Sequence, residues 1–135
     1  MSAEPAIAVQ TVLVADDDPD LVALIERRLV KEGYCVVTAG DGVEALRRAV
    51  EHVPQVAVLD AMMPKMTGVE VMERLRANPA TLSILVVLMS ASFQDNGPGA
   101  GTPRGADEYV KKPFGPGALE ARVRSVLRRA QLCPT

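Results

Sequence analysis

The chain has 135 residues, 48% of them apolar, and a formal charge of −2, which suits one buried core and is too short for two ordinary domains. So small a net charge excludes global attraction to nucleic acid or to an anionic membrane surface. Apolar stretches are short and interrupted, and the first ten residues lack a basic start and a long apolar middle, so a soluble cytoplasmic protein is expected.

Val12-Leu13-Val14-Ala15 is a continuous apolar run that stops at Asp16, the pattern of a strand buried on both faces of a parallel sheet. Asp18 is suited to cap a helix with Pro19 at its first position, and Leu21, Leu24, Ile25 and Leu29 follow at helical spacing until Gly33. Residues 34–37 read as a second strand. Asp41 then opens a second helix with Val43, Leu46, Ala49 and Val50 on one face, closed by Pro54.

Residues 56–59 form a third apolar strand ending at Asp60, followed by a loop over residues 61–66. Thr67 and Glu70 have the spacing of a capping box, for a helix carrying Val71, Met72 and Leu75. A fourth strand is expected over residues 84–89 and a short fifth over 108–110. The last helix, with Leu119, Val123, Val126 and Leu127 on one face, runs to about Ala130. Strands alternating with helices predict a parallel α/β sheet. Residues 93–104 break the alternation: they hold three glycines and two prolines, which disfavour a helix interior by about 1 and 3 kcal/mol apiece. A loop, or at most one helical turn, is expected there.

In an open parallel sheet, functional groups gather at the carboxyl ends of the strands. Asp16, Asp17, Asp60, Ser90 and Lys112 fall there in turn. Carboxylates crowded at two strand ends raise one another's pKa unless a cation shares the site. Hard oxygen ligands, few in number, fit Mg²⁺ better than a calcium cage, and no sulfur or imidazole ligand for zinc accompanies them. Leu21 stands where an EF-hand loop starting at Asp16 would need glycine, so that motif is excluded. With charge on the transferring oxygens neutralised by Mg²⁺ and Lys112, a carboxylate could accept a phosphoryl group.

Val14-Ala15-Asp16-Asp17-Asp18-Pro19, Leu59-Asp60-Ala61-Met62-Met63-Pro64 with Gly68, Met89-Ser90-Ala91, and Gly105-Ala106-Asp107 through Lys112-Pro113-Phe114 together resemble the receiver domain of two-component response regulators. The resemblance covers roughly residues 12 to 129 and is specific as a combination. It implies a flavodoxin-like, doubly wound α/β fold with strand order 2-1-3-4-5, here with a degenerate or missing fourth helix.

For the site, the resemblance implies that Asp60 is the phosphoacceptor. Asp17 and Asp60 would ligate Mg²⁺ with the main-chain carbonyl of Met62, Asp16 would help through water, Lys112 would contact the phosphoryl group and Ser90 would hydrogen-bond it. Ser90 and Tyr109 would rearrange together as the switch, and Lys112-Pro113 would be a cis peptide. The partners implied are a sensor histidine kinase or phosphotransfer protein and an output partner or domain. Homodimerisation is expected to avoid the usual fourth-helix face, given residues 93–104. The chain is expected to be one receiver domain over residues 1–135, either standing alone or cut from a longer protein.

Each residue also has a plainer reading. Asp18 and Asp20 are read as helix-cap and helix-dipole acids, Lys111 as surface, Tyr109 equally as core or edge aromatic, and His52 as exposed. Met62, Met63 and Met66 are read as loop packing, Cys35 and Cys133 as thiols without a role, and Arg122, Arg124, Arg128 and Arg129 as a solvated face. Two other function classes compete: a Mg²⁺-dependent phosphohydrolase with Asp16 as nucleophile and Asp18 as second acid, and a phosphorylation-independent interaction module. In the leading reading the chain catalyses chemistry only on itself and is not an enzyme.

Overall fold

The apolar runs become the strands of one parallel sheet in a computed structural model that describes residues 9–91 and 105–132. In chain order the elements are β1 (Thr11–Ala15), α1 (Pro19–Lys31), β2 (Cys35–Ala39), α2 (Gly42–His52), β3 (Val56–Asp60), α3 (Gly68–Arg76), β4 (Leu85–Ser90), β5 (Glu108–Lys111) and α4 (Ala118–Leu132). The sheet order is β2-β1-β3-β4-β5, every neighbouring pair parallel. This is the expected 2-1-3-4-5 order, with four helices among the described residues. The expected loop at residues 93–104, and Cys133, lie outside the described residues.

Successive strand residues point to opposite faces, so the sheet feeds two cores. Leu13, Ala15, Ala57, Leu59, Val86 and Leu88 pack with Ala45 and Ala49 of α2 and Val71, Met72 and Leu75 of α3. On the other face, Val12, Val14, Val56, Val58, Val87 and Met89 pack with Ile25 and Leu29 of α1 and Leu119, Val123, Val126 and Leu127 of α4. Buried on both sides, the central strands need continuous apolar sequence.

The expected caps form. Asp18 Oδ1 accepts from the amide of Asp20 at 3.0 Å, and Thr67 and Glu70 close the capping box on α3. The apolar face expected for α2 is corrected in part: Ala49 is buried and Leu46 packs against the core as expected, but Val43 and Val50 are half exposed, and Gly42 and Ala45 are buried in their place. Small side chains let α2 lie close to the sheet and turn its valines outward. Leu24 of α1 is likewise more exposed than its spacing suggested. It borders a groove of about 510 Å³ floored by Leu21, Ile25, Phe114 and Leu119. No helix among the described residues is long and apolar enough to cross a membrane.

Candidate functional site

Four strand ends converge at the carboxyl edge. β1 delivers Asp16 and Asp17, β3 ends on Asp60, β4 ends on Ser90, and Lys112 follows β5 directly. The main-chain amide of Lys112 donates to the carbonyl of Ser90 at 2.9 Å, which ties the lysine to the end of β4. The Lys112-Pro113 peptide is cis, as the resemblance implied.

Asp16, Asp17 and Asp60 each offer a carboxylate oxygen within 4.8 Å of the others. Asp16 and Asp60 are buried, whereas Asp17 is exposed at the rim. Asp16 Oδ1 accepts from the amide of Asp18 at 3.0 Å, and its Oδ2 accepts from Lys112 Nζ at 2.6 Å. Asp60 Oδ1 accepts from the amide of Met62 at 3.3 Å, and Lys112 Nζ stands 3.6 Å from Asp60 Oδ2.

Burial pushes the Asp60 carboxyl above the usual aspartate range, the charge of Asp16 adds to this, and Lys112 opposes it. For Lys112, burial works against the ammonium, yet pairing with Asp16 and Asp60 outweighs it and holds the group above its ordinary value. Three acids thus meet one lysine, leaving negative charge that a further cation can neutralise. The acidic donors are all oxygen and partly open to solvent, which fits a hard divalent ion such as Mg²⁺ that keeps waters and substrate oxygens in its shell.

The loop after β3 is held from beneath and from the side. Gly68 donates its amide to the carbonyl of Ala61 at 3.2 Å, and a Cβ at Gly68 would run into the main-chain carbonyl of Asp60. Met63 is buried and Met66 half-buried, as loop packing requires, but Met62 is 69% exposed and corrects the reading of all three as packing residues. Lys65 has a left-handed φ of 68° and its Nζ lies 3.5 Å from Asp41 Oδ2. Asp41 was legible as a cap, but not as a partner of this loop, and Gly42 beside it carried no signal at all.

Ser90 is buried. Tyr109 is half-buried against the core on the α2 and α3 side. Lys111 and His52 are exposed, in keeping with their plainer readings, and Cys35 is an exposed free thiol. On α4, Arg122 and Arg129 pair with Glu108 at 3.2 and 3.4 Å, and Arg124 pairs with Glu32 at 2.9 Å. Guanidinium groups engaged with the protein's own acids favour a solvated face over a nucleic-acid surface.

Residues 12–124 match the family model described as the response regulator receiver domain. The chain is 46% identical over 118 residues to the transcriptional regulatory protein PrrA of Mycobacterium tuberculosis, covering 87% of this chain and 50% of that protein. It is 40% identical over 121 residues to the alkaline phosphatase synthesis transcriptional regulatory protein PhoP of Bacillus subtilis, covering 90% of this chain and 50% of that one. The chain therefore spans about half the length of the curated relatives it matches. Among solved structures, the receiver domain of a Francisella response regulator is similar with a TM-score of 0.79 at 31% identity, covering 90% of this chain and 98% of that one.

Proposed function

The chain belongs to the response regulator receiver family, whose role in two-component signalling is that of phosphoacceptor, and from that premise we propose that Asp60 is the acceptor. The observation that carries the reading is the pairing of a buried Asp60 with Lys112 at 3.6 Å, beside two further acids at the strand ends. The donor is the phosphohistidine of a sensor histidine kinase or phosphotransfer protein, and the reaction takes place in the cytoplasm.

In the proposed step a carboxylate oxygen of Asp60 attacks phosphorus, the O–P bond forms as the P–N bond breaks, and the imidazole leaves with the electron pair and regains a proton from solvent. Asp17, Asp60 and the main-chain carbonyl of Met62, with Asp16 acting through water, would hold Mg²⁺, which when bound would supply charge neutralisation on the transferring oxygens. Lys112 contributes a second positive charge, held ready by its ion pair with Asp16. Ser90 hydrogen-bonds the phosphoryl group and, with Tyr109, carries the change outward. Hydrolysis at the same site resets Asp60, so the chemistry is self-catalysed.

Treatment with acetyl phosphate or phosphoramidate, with and without Mg²⁺, followed by intact-mass spectrometry tests this. A Mg²⁺-dependent gain of one phosphoryl mass, lost in Asp60→Ala, is expected. No gain would leave a receiver fold used as a binding module.

A further inference from the structure

Gly42 opens α2 and has no functional group, yet the space where its side chain would stand is taken by the main chain of another segment. A Cβ there would overlap the carbonyl oxygen and carbon of Met66 and crowd the Cβ of Met66. Because the obstacle is backbone, no change of rotamer clears it.

Two further ties cross the same seam, and a third closes the turn itself. The Gly42 amide points at the carbonyl of Pro64 at 3.4 Å, and the Met66 amide donates to that carbonyl at 2.7 Å. Lys65, between them, is left-handed and reaches back to Asp41. The first turn of α2 is therefore a backstop for residues 64–66, and residue 62 lies just upstream in the same loop. The Met62 side chain is largely exposed, so its own packing does little to fix the residue. Its main chain is placed by the Asp60 carboxylate on one side and by the turn leaning on α2 on the other.

We propose that Gly42 is a positioning residue for the main-chain carbonyl of Met62, acting through the turn at residues 64–66. The proposal rests on the reading of that carbonyl as a Mg²⁺ ligand. Mg²⁺ demands near-ideal octahedral geometry, and a site displaced by more than about 0.5 Å loses function. Any side chain at residue 42 moves the turn, and the carbonyl moves with it. On helix propensity alone alanine would be the better residue at this position, so the tertiary contact accounts for the glycine.

The test is a Mg²⁺ titration of the full chain, followed by amide chemical shifts, for wild type, Asp60→Asn, Gly42→Ala and Gly40→Ala. A Cβ at Gly40 would meet only Glu44 Oε1, at 3.9 Å, so that variant is the control. Gly42→Ala should weaken Mg²⁺ binding about tenfold, as loss of an outer-shell support does. It should also abolish the Mg²⁺-induced shift at the Met62 amide while the Asp17 amide still responds. Gly40→Ala should stay within about twofold of wild type.

Wild-type affinity and a normal Met62 response in Gly42→Ala overturn the proposal. Should that variant fail to fold, Lys65→Gly removes the Asp41 tie without adding an atom. About threefold weaker binding is then expected from loss of an exposed ion pair, and unchanged binding overturns the proposal. Absence of any Asp60-dependent Mg²⁺ binding in wild type overturns the metal reading beneath it, a failure distinguishable from the others.

Discussion

Lys112 Nζ lies 2.6 Å from Asp16 Oδ2, joining residues 96 positions apart in the chain. Asp16 is 1% exposed, and Lys112 is its partner in the ion pair while also approaching Asp60 at 3.6 Å. One ammonium therefore neutralises part of an acidic cluster that would otherwise be buried uncompensated.

Removing that ammonium should destabilise the fold. Breaking a buried pair by deleting one partner costs about 3–5 kcal/mol. The Lys112 side chain is 21% exposed, so Lys112→Met is expected near the lower end of that range, about 3 kcal/mol. Urea unfolding without divalent ions would measure it. Added Mg²⁺ should recover part of the loss, and an unchanged midpoint would show that water already screens Asp16.

Asp60 should behave in the opposite sense. Its carboxyl is raised above the ordinary 3.8, first by burial and then by Asp16. A raised folded pKa means that the group stabilises the fold below its unfolded pKa and that this contribution is lost as pH rises through the folded value. At neutral pH, without Mg²⁺, ionised Asp60 therefore works against folding. Asp60→Asn should have a higher Tm than wild type there, with the advantage shrinking as the pH falls toward the ordinary aspartate value. Melting curves across that range would check it, and a lower Tm at neutral pH would contradict it.

Mg²⁺ should stabilise the folded chain by mass action. At a concentration 100-fold above Kd the gain is about 2.7 kcal/mol for one site. Asp17→Asn should remove most of it while barely changing the metal-free stability, because Asp17 is exposed. Equal Mg²⁺ responses in wild type and Asp17→Asn would remove Asp17 from the ligand set.

Gly68→Ala places a methyl group against the Asp60 carbonyl. Overpacking of this kind costs about 1–3 kcal/mol, more than the gain from a better helix former, so net destabilisation is expected in thermal melts. A stabilised variant would mean that the main chain at Asp60 yields readily.

Much of this architecture was legible in the sequence because the central strands are buried on both faces and so read as apolar runs, β3 and β4 ending on a polar residue and β1 running directly into Asp16. The caps at Asp18 and Thr67 were equally legible, since capping is local chemistry. The candidate site residues were legible as polar residues at or just beyond the strand ends. The inner face of α2 was legible only in part: Ala49 and Leu46 were read correctly, but periodicity favours the bulkier Val43 and Val50, whereas contact with the sheet selected Ala45. The seam between Gly42 and the loop after β3 was also hidden, because it depends on the meeting of two segments whose residues give no local sign of it.

The division of β1 between two cores places a reading-frame constraint on the site. Val12 and Val14 serve one layer and Leu13 and Ala15 the other, and the strand runs straight into a buried Asp16 and an exposed Asp17. Point substitutions among similar apolar residues leave that parity intact. Loss or gain of a single residue within β1 inverts it, sending each side chain to the opposite face and exchanging the surroundings of the two acids. In this stretch the chain should tolerate changes of residue far better than changes of length.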